Sequence, residues 1–249
     1  MLRSHVVMAV TLAILASVSG AMGATGRPKP PKANAEEFIV PTREDFLRGL
    51  KLEKPELAAV KAALDKGDVE AAGRAYIAHF RAMSISSPLV TDWDGVERDP
   101  QYNCEGAERI VGGHWFDGYK VYDVPAAGAD WHDGPLICLC TLRVVRGLLQ
   151  PAYHTEDPRY IRYIAEHISQ YMAAYPIEEF AGHCSEDDWN YTGECVTKPW
   201  GGGQLCTRLQ YWADMMNLLR RYESVSDEEL LTMLHRIYEE TAFMRTQIE

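Results

Sequence analysis

Trp131-His132 stands just ahead of an apolar helical stretch, in a loop lined with acids. An imidazole there can act as a base or meet the acid group of a sugar, because its charge changes near neutral pH. A lone histidine is more often a satisfied structural residue. Glu186, Asp187 and Asp188 adjoin Trp189, Asn190 and Tyr191. Carboxylate pairs flanked by aromatics suit glycoside hydrolysis, although adjacent acids in a loop more often form solvated surface or a calcium contact. Trp200 precedes Gly201-Gly202-Gly203, and Arg208 lies one turn before Trp212. A planar guanidinium holds a carboxylate or sulfate through two hydrogen bonds, and exposed indoles stack on sugar rings. Trp212 itself fits a core stripe, while Arg208 lies off the centre of that stripe. Trp131, His132, Trp189, Trp200 and Arg208 are therefore the candidate substrate-binding residues. No residue is assigned a catalytic role, and no cofactor is expected.

The elements that must position these side chains are mostly helices. Thr42 with Asp45 starts a short one. Pro55 opens a second that runs to Asp65, with Gly67 as its stop. Asp68 caps a third through Phe80, so the pair forms a helical hairpin. From Ser84 to Asp133 periodicity is weak and Gly, Pro, Asp and aromatic residues abound, which predicts long loops with short strands at most. Pro135 to Leu149 reads as a helix. Asp157-Pro158 is a cap followed by proline at the first helical position, and Ile161, Ile164, Ile168, Tyr171 and Tyr175 follow as a stripe. A second loop, rich in Trp, Asp and Gly, spans Pro176 to Gly203. Leu205, Leu209, Trp212, Met216 and Leu219 form the next stripe. Ser226 with Glu229 is a capping box, followed by Leu230, Leu234 and Ile237. Helix, short turn, helix and long aromatic loop suit antiparallel helix pairs stacked around an axis, with loops gathered at one end.

Charge and targeting signals narrow the setting. The net charge of -11 argues against a general nucleic-acid or anionic-membrane binder, which needs a basic face. Arg3 and His5, the apolar run Val6 to Val18 and the small residues Ala21 and Gly23 read as a signal peptide over residues 1–23. The run is shorter than the about 20 residues needed to span a bilayer. Residues 24–35, with Pro28, Pro30 and Pro31, read as a linker. Residues 36–249 form the expected domain, periplasmic or extracellular, with no membrane attachment after signal cleavage. Six cysteines (104, 138, 140, 184, 195 and 206) suit disulfides or buried thiols in an exported chain. Cys184 and Cys195 flank one loop and are the easiest pair. The absence of paired C-x-x-C spacing argues against zinc, and no metal site is expected.

Four segments together resemble the N-terminal helical domain of heparinase II/III-type polysaccharide lyases. They are Leu57-Ala58-Ala59-Val60-Lys61 to Gly67-Asp68 with Tyr76 to Arg81, and Asp130-Trp131-His132 through Leu142-Arg143 to Tyr160-Ile161. Pro199-Trp200 with Thr207-Arg208 and Trp212, and Val225-Ser226-Asp227-Glu228-Glu229-Leu230-Leu231, complete the set. Order and spacing carry the likeness more than any single piece. The resemblance implies an all-α, incomplete (α/α) toroid followed by a β-sandwich domain. It also implies β-elimination at a uronic acid within an acidic polysaccharide. The family's neutralising Asn, and the Tyr and His after it, find no match in this chain, since Asn34, Asn103, Asn190 and Asn217 stand elsewhere. The last helix runs into Thr246-Gln247-Ile248-Glu249 without a stop signal. The expectation is therefore the N-terminal portion of an exported lyase, substrate-binding but without catalytic residues of its own. The enzyme-class alternative is a glycoside hydrolase on a similar toroid, using Glu186 to Asp188. The non-enzyme alternative is a carbohydrate-binding helical module.

Overall fold

A computed structural model describes residues 38–85, 90–116, 121–123, 131, 142–180 and 202–248. The signal and linker segments, the Glu186 to Asp188 acids and Cys138, Cys140, Cys184 and Cys195 lie outside the described residues. The described part is mostly helical. It comprises α1 (Arg43–Arg48), a 3-10 turn (Pro55–Leu57), α2 (Ala58–Leu64), α3 (Val69–Ala82), α4 (Glu105–Val111), α5 (Arg143–Arg146), α6 (Leu149–Thr155), α7 (Pro158–Ala174), α8 (Ile177–Phe180), α9 (Gly202–Leu219) and α10 (Asp227–Ile248). An antiparallel pair, β1 (His114–Phe116) and β2 (Val121–Asp123), follows α4, with Trp115 opposite Tyr122.

Local chemistry sets the helix ends. Thr42 and Asp45 form a reciprocal capping box on α1. Asp68 accepts from the Ala71 amide at 2.8 Å to start α3, and Asp157 accepts from Arg159 N at 2.9 Å ahead of Pro158. Ser226 and Glu229 cap α10 in the same two-way manner as α1. Each such cap satisfies amides that the first turn leaves without partners. Gly67, at φ +74°, lets the chain turn between α2 and α3.

The α2–α3 hairpin packs on α10, and α10 packs along α9. Gly73 permits the α3–α10 approach, because a Cβ there would lie 2.6 Å from Leu231 Cδ2. Arg81, at the end of α3, fastens the turn before α10. Its guanidinium donates to Asp227 Oδ1 at 2.8 Å, to the Arg220 and Tyr222 carbonyls at 3.0 and 3.3 Å, and to the Val225 carbonyl at 2.6 Å. Helix α7 lies against α6 and α10 and turns Ile161, Ile164, Ile168 and Tyr171 inward, all fully buried. From α9, Leu205, Leu209, Trp212, Met216 and Leu219 join the same core.

Two expectations are corrected. The weakly periodic stretch from Ser84 to Asp133 contains a helix, α4. Asn103 Oδ1 accepts from Glu105 N at 2.9 Å and opens it. The segment expected as one helix from Pro135 to Leu149 is two helices in its described part. Leu142 takes a left-handed conformation, φ 56°, and the chain breaks at Gly147 before α6 continues to Thr155. Gly147 is close-packed: an added Cβ would sit 3.0 Å from Ile110 Cδ1.

Candidate functional site

Helices α7, α9 and α10 enclose a polar cluster inside the apolar core. Tyr171, on the inward stripe of α7, donates to Glu240 Oε1 at 2.8 Å. Arg208 Nε, from α9, donates to Glu240 Oε2 at 2.9 Å. Arg236 lies one turn before Glu240 on α10 and donates to its Oε1 at 3.2 Å. Arg236 also reaches Glu239 at 3.5 Å and the Tyr175 carbonyl. The Arg208 guanidinium sits over the Tyr171 ring, 5.0 Å from its centroid. Glu240 thus carries one negative charge between two guanidiniums, with a phenol as third donor. A buried carboxylate is stable only when paired and hydrogen-bonded in this way. Burial pushes the Tyr171 phenol far above its usual range, so it remains a proton donor throughout. Burial likewise raises Glu239 despite His235 and Arg236 beside it.

An aromatic layer caps this cluster. Trp131 is 8% exposed, and its ring lies 4.9 Å from His167, 6.2 Å from Tyr171 and 6.3 Å from Tyr175. Tyr175 donates its hydroxyl to the Trp131 carbonyl. Trp115 of β1 meets the His167 ring at 5.2 Å, edge to face. Trp115 Nε1 donates to Tyr163 Oη at 2.9 Å. His167 Nε2 is buried without a hydrogen-bond partner among the described residues. Burial pulls its pKa down to about 3, so the ring is neutral at physiological pH.

The candidates read from the sequence are placed as follows. Trp131 heads the aromatic layer. Arg208 has a side chain 0% exposed and is engaged with Glu240. The structure brings both against Tyr171, Trp131 at 6.2 Å ring to ring and the Arg208 guanidinium 5.0 Å from the ring centroid. His132, Trp189 and Trp200 lie outside the described residues. Sequence reading missed Tyr171, Arg236, Glu240 and His167 as members of a polar site. Tyr171 was read only as part of an apolar stripe. The available signal was the three-residue spacing of His167 from Ile164 and four-residue spacing to Tyr171, which put a polar ring on the buried face.

Cys104 and Cys206 are free thiols. Among the described residues, no group of three or more His, Cys, Asp or Glu side chains is placed to hold a metal. No helix there is long and apolar enough to cross a membrane.

The arrangement of these helices is similar to part of one solved structure. A solved heparan sulfate lyase from Pedobacter heparinus superposes with a TM-score of 0.59 at 19% identity, over 83% of this chain and 32% of that chain. The chain thus spans about a third of the length of that lyase. No protein-family profile and no curated protein sequence matches it.

Proposed function

We propose that this chain is the N-terminal portion of an exported, heparinase II/III-type polysaccharide lyase acting on uronic acid-containing polysaccharide. Residues 1–23 are the signal, 24–35 a linker, and 36–249 an incomplete (α/α) toroid that holds substrate in the periplasm or outside the cell. The supporting observation is the likeness to a lyase fold over 83% of the chain, matching 32% of that lyase.

In this reading the reaction is β-elimination. A base removes the proton α to the uronate carboxylate, and a neutral polar side chain stabilises the charge that develops on that carboxylate. A proton passes to the departing glycosidic oxygen. No water enters, and the new non-reducing end carries a double bond. The groups performing these steps belong to a later part of the protein, together with a β-sandwich domain. The helical portion supplies a wall of the cleft, where His132, Trp189 and Trp200 meet the sugar, while Trp131, 8% exposed, supports that wall from the inside rather than stacking on substrate. Arg208 serves as a positioning residue, sharing Glu240 with Arg236 and fixing Tyr171 under Trp131.

The test incubates uronate polymers with the 249-residue chain and with the product of the intact gene. Ultraviolet absorbance of unsaturated products from the intact protein, with binding but no cleavage by the 249-residue chain, is the expected result. New reducing ends without that absorbance would instead mean hydrolysis and overturn the reading. Depolymerisation by the 249-residue chain alone would overturn the division of labour.

A further inference from the structure

Between α4, the start of β1 and the α5–α6 segment lies an open cleft of about 670 Å³. That is ample for a short oligosaccharide, since ligand sites run roughly 300–1,000 Å³. Its floor is apolar: Ala107, Val144 and Pro151 are buried, and Ile110 is half-buried. Tyr102 stands at one side, pinned by stacking on His154 at 4.5 Å and 11°. Arg109, Arg143 and His114 also line it, all exposed, and no Asp or Glu is among the lining residues.

The two arginines differ from most others in the fold. Nearby, Arg159 is held by Glu108 and Asp157, and Arg162 by Glu229. Arg109 and Arg143 have no carboxylate within 4 Å among the described residues. His114 keeps Nδ1 2.7 Å from Asp123, which leaves Nε2 for another partner. In a chain of net charge -11, an acidic polymer is repelled by most of the surface. Two uncompensated guanidiniums over an apolar floor are where its anionic group is welcome, and a guanidinium fork matches an oxyanion in geometry.

We infer that this cleft is a binding subsite for an acidic saccharide. Arg109 and Arg143 take its carboxylate or sulfate, and the apolar floor with Tyr102 takes the ring face. The choice of a sugar rests on the proposed polysaccharide reading; the choice of a negative charge rests on the cleft alone.

Calorimetric titration of the 249-residue chain tests it with three probes: unsulfated uronate trisaccharides, their carboxyl-reduced neutral counterparts, and a sulfated neutral trisaccharide. One or both acidic probes are expected to bind, which identifies the oxyanion, and the neutral one is not. Arg109→Ala and Arg143→Ala should each weaken binding roughly tenfold or more. Gly106→Trp should block it, because a Cβ at Gly106 meets nothing within 4 Å and the indole would enter open space. Arg74→Ala, an exposed arginine on α3, should leave affinity unchanged. Acidic probes that bind the cleft variants as tightly as the native chain would overturn the subsite and leave the polysaccharide reading standing. Equal binding of the neutral probe would overturn the role of the arginines. Failure of every acidic probe would overturn the subsite, while the elimination assay judges the wider reading separately.

Discussion

In the core around Tyr171, Arg208 and Arg236 are buried and share Glu240; on α4 and α5, Arg109 and Arg143 are exposed and pair with no carboxylate among the described residues. The residue type is the same, and the surroundings decide what it does. Burying a guanidinium carries a desolvation cost, which Glu240 offsets for Arg208 and Arg236, as Asn217 and backbone carbonyls do for the buried Arg220. An exposed guanidinium faces little such cost and remains available to a ligand. The contrast teaches that charge identity in the sequence says little until burial is known.

Breaking the buried side should have the largest effect. Glu240→Ala leaves two guanidiniums in the core without their shared carboxylate and should cost about 3–5 kcal/mol of stability, read by urea unfolding. A loss under 1 kcal/mol would show that the cluster is wet rather than sealed.

The second effect is a pH dependence centred on His167. Its folded pKa of about 3 lies below the ordinary 6.5. The unfolded chain therefore takes up a proton first as pH falls, and stability present above about pH 6.5 is lost progressively towards pH 3. The loss should reach a few kcal/mol. The ring faces Trp115, Trp131 and Tyr163, none of which titrates in that window, so His167→Phe should flatten this part of the curve. Carboxylates held low by their partners, such as Asp157 by Arg159, add acid sensitivity below about pH 4 in both proteins. Identical slopes for the two proteins between pH 6.5 and 4 would refute the assignment.

Smaller effects sharpen the comparison. Asp68→Ala removes the cap of α3 and should cost about 1 kcal/mol, measurable as a lower unfolding midpoint. Arg109→Ala or Arg143→Ala should change stability by no more than about 0.5 kcal/mol, because neither side chain has an ion-pair partner among the described residues. A large loss there would mean that the cleft arginines are structural, like those of the core.

Much of the helical frame was legible in the sequence because its signals are local. Thr42 with Asp45, Asp68, Asp157-Pro158 and Ser226 with Glu229 each act within four residues, and each cap forms as read. The stripes on α7 and α9 were legible for the same reason. Helix α4 was obscured by Gly106, Gly112 and Gly113, which lower helix propensity although Asn103 and the acids Glu105 and Glu108 in its first turn favour it. At the break, Gly147 packs closely on Ile110, a neighbour distant in sequence that no local signal announces. The candidate site was least legible. Arg208 meets Glu240 across 32 positions, and no periodicity on α9 announces which side chain α10 will offer opposite it.

The grip of Arg81 on the turn before α10 has a bearing on how the chain is made. The bonded groups lie 139 to 146 positions further along, and His235 closes on the Pro41 carbonyl across 194. A ribosome releases the first hairpin long before these partners exist, and such distant closures are slow to form. The early helices thus wait, with the Leu231 slot over Gly73 unfilled, until synthesis delivers the segment that docks there, and chaperone protection matters most during that interval.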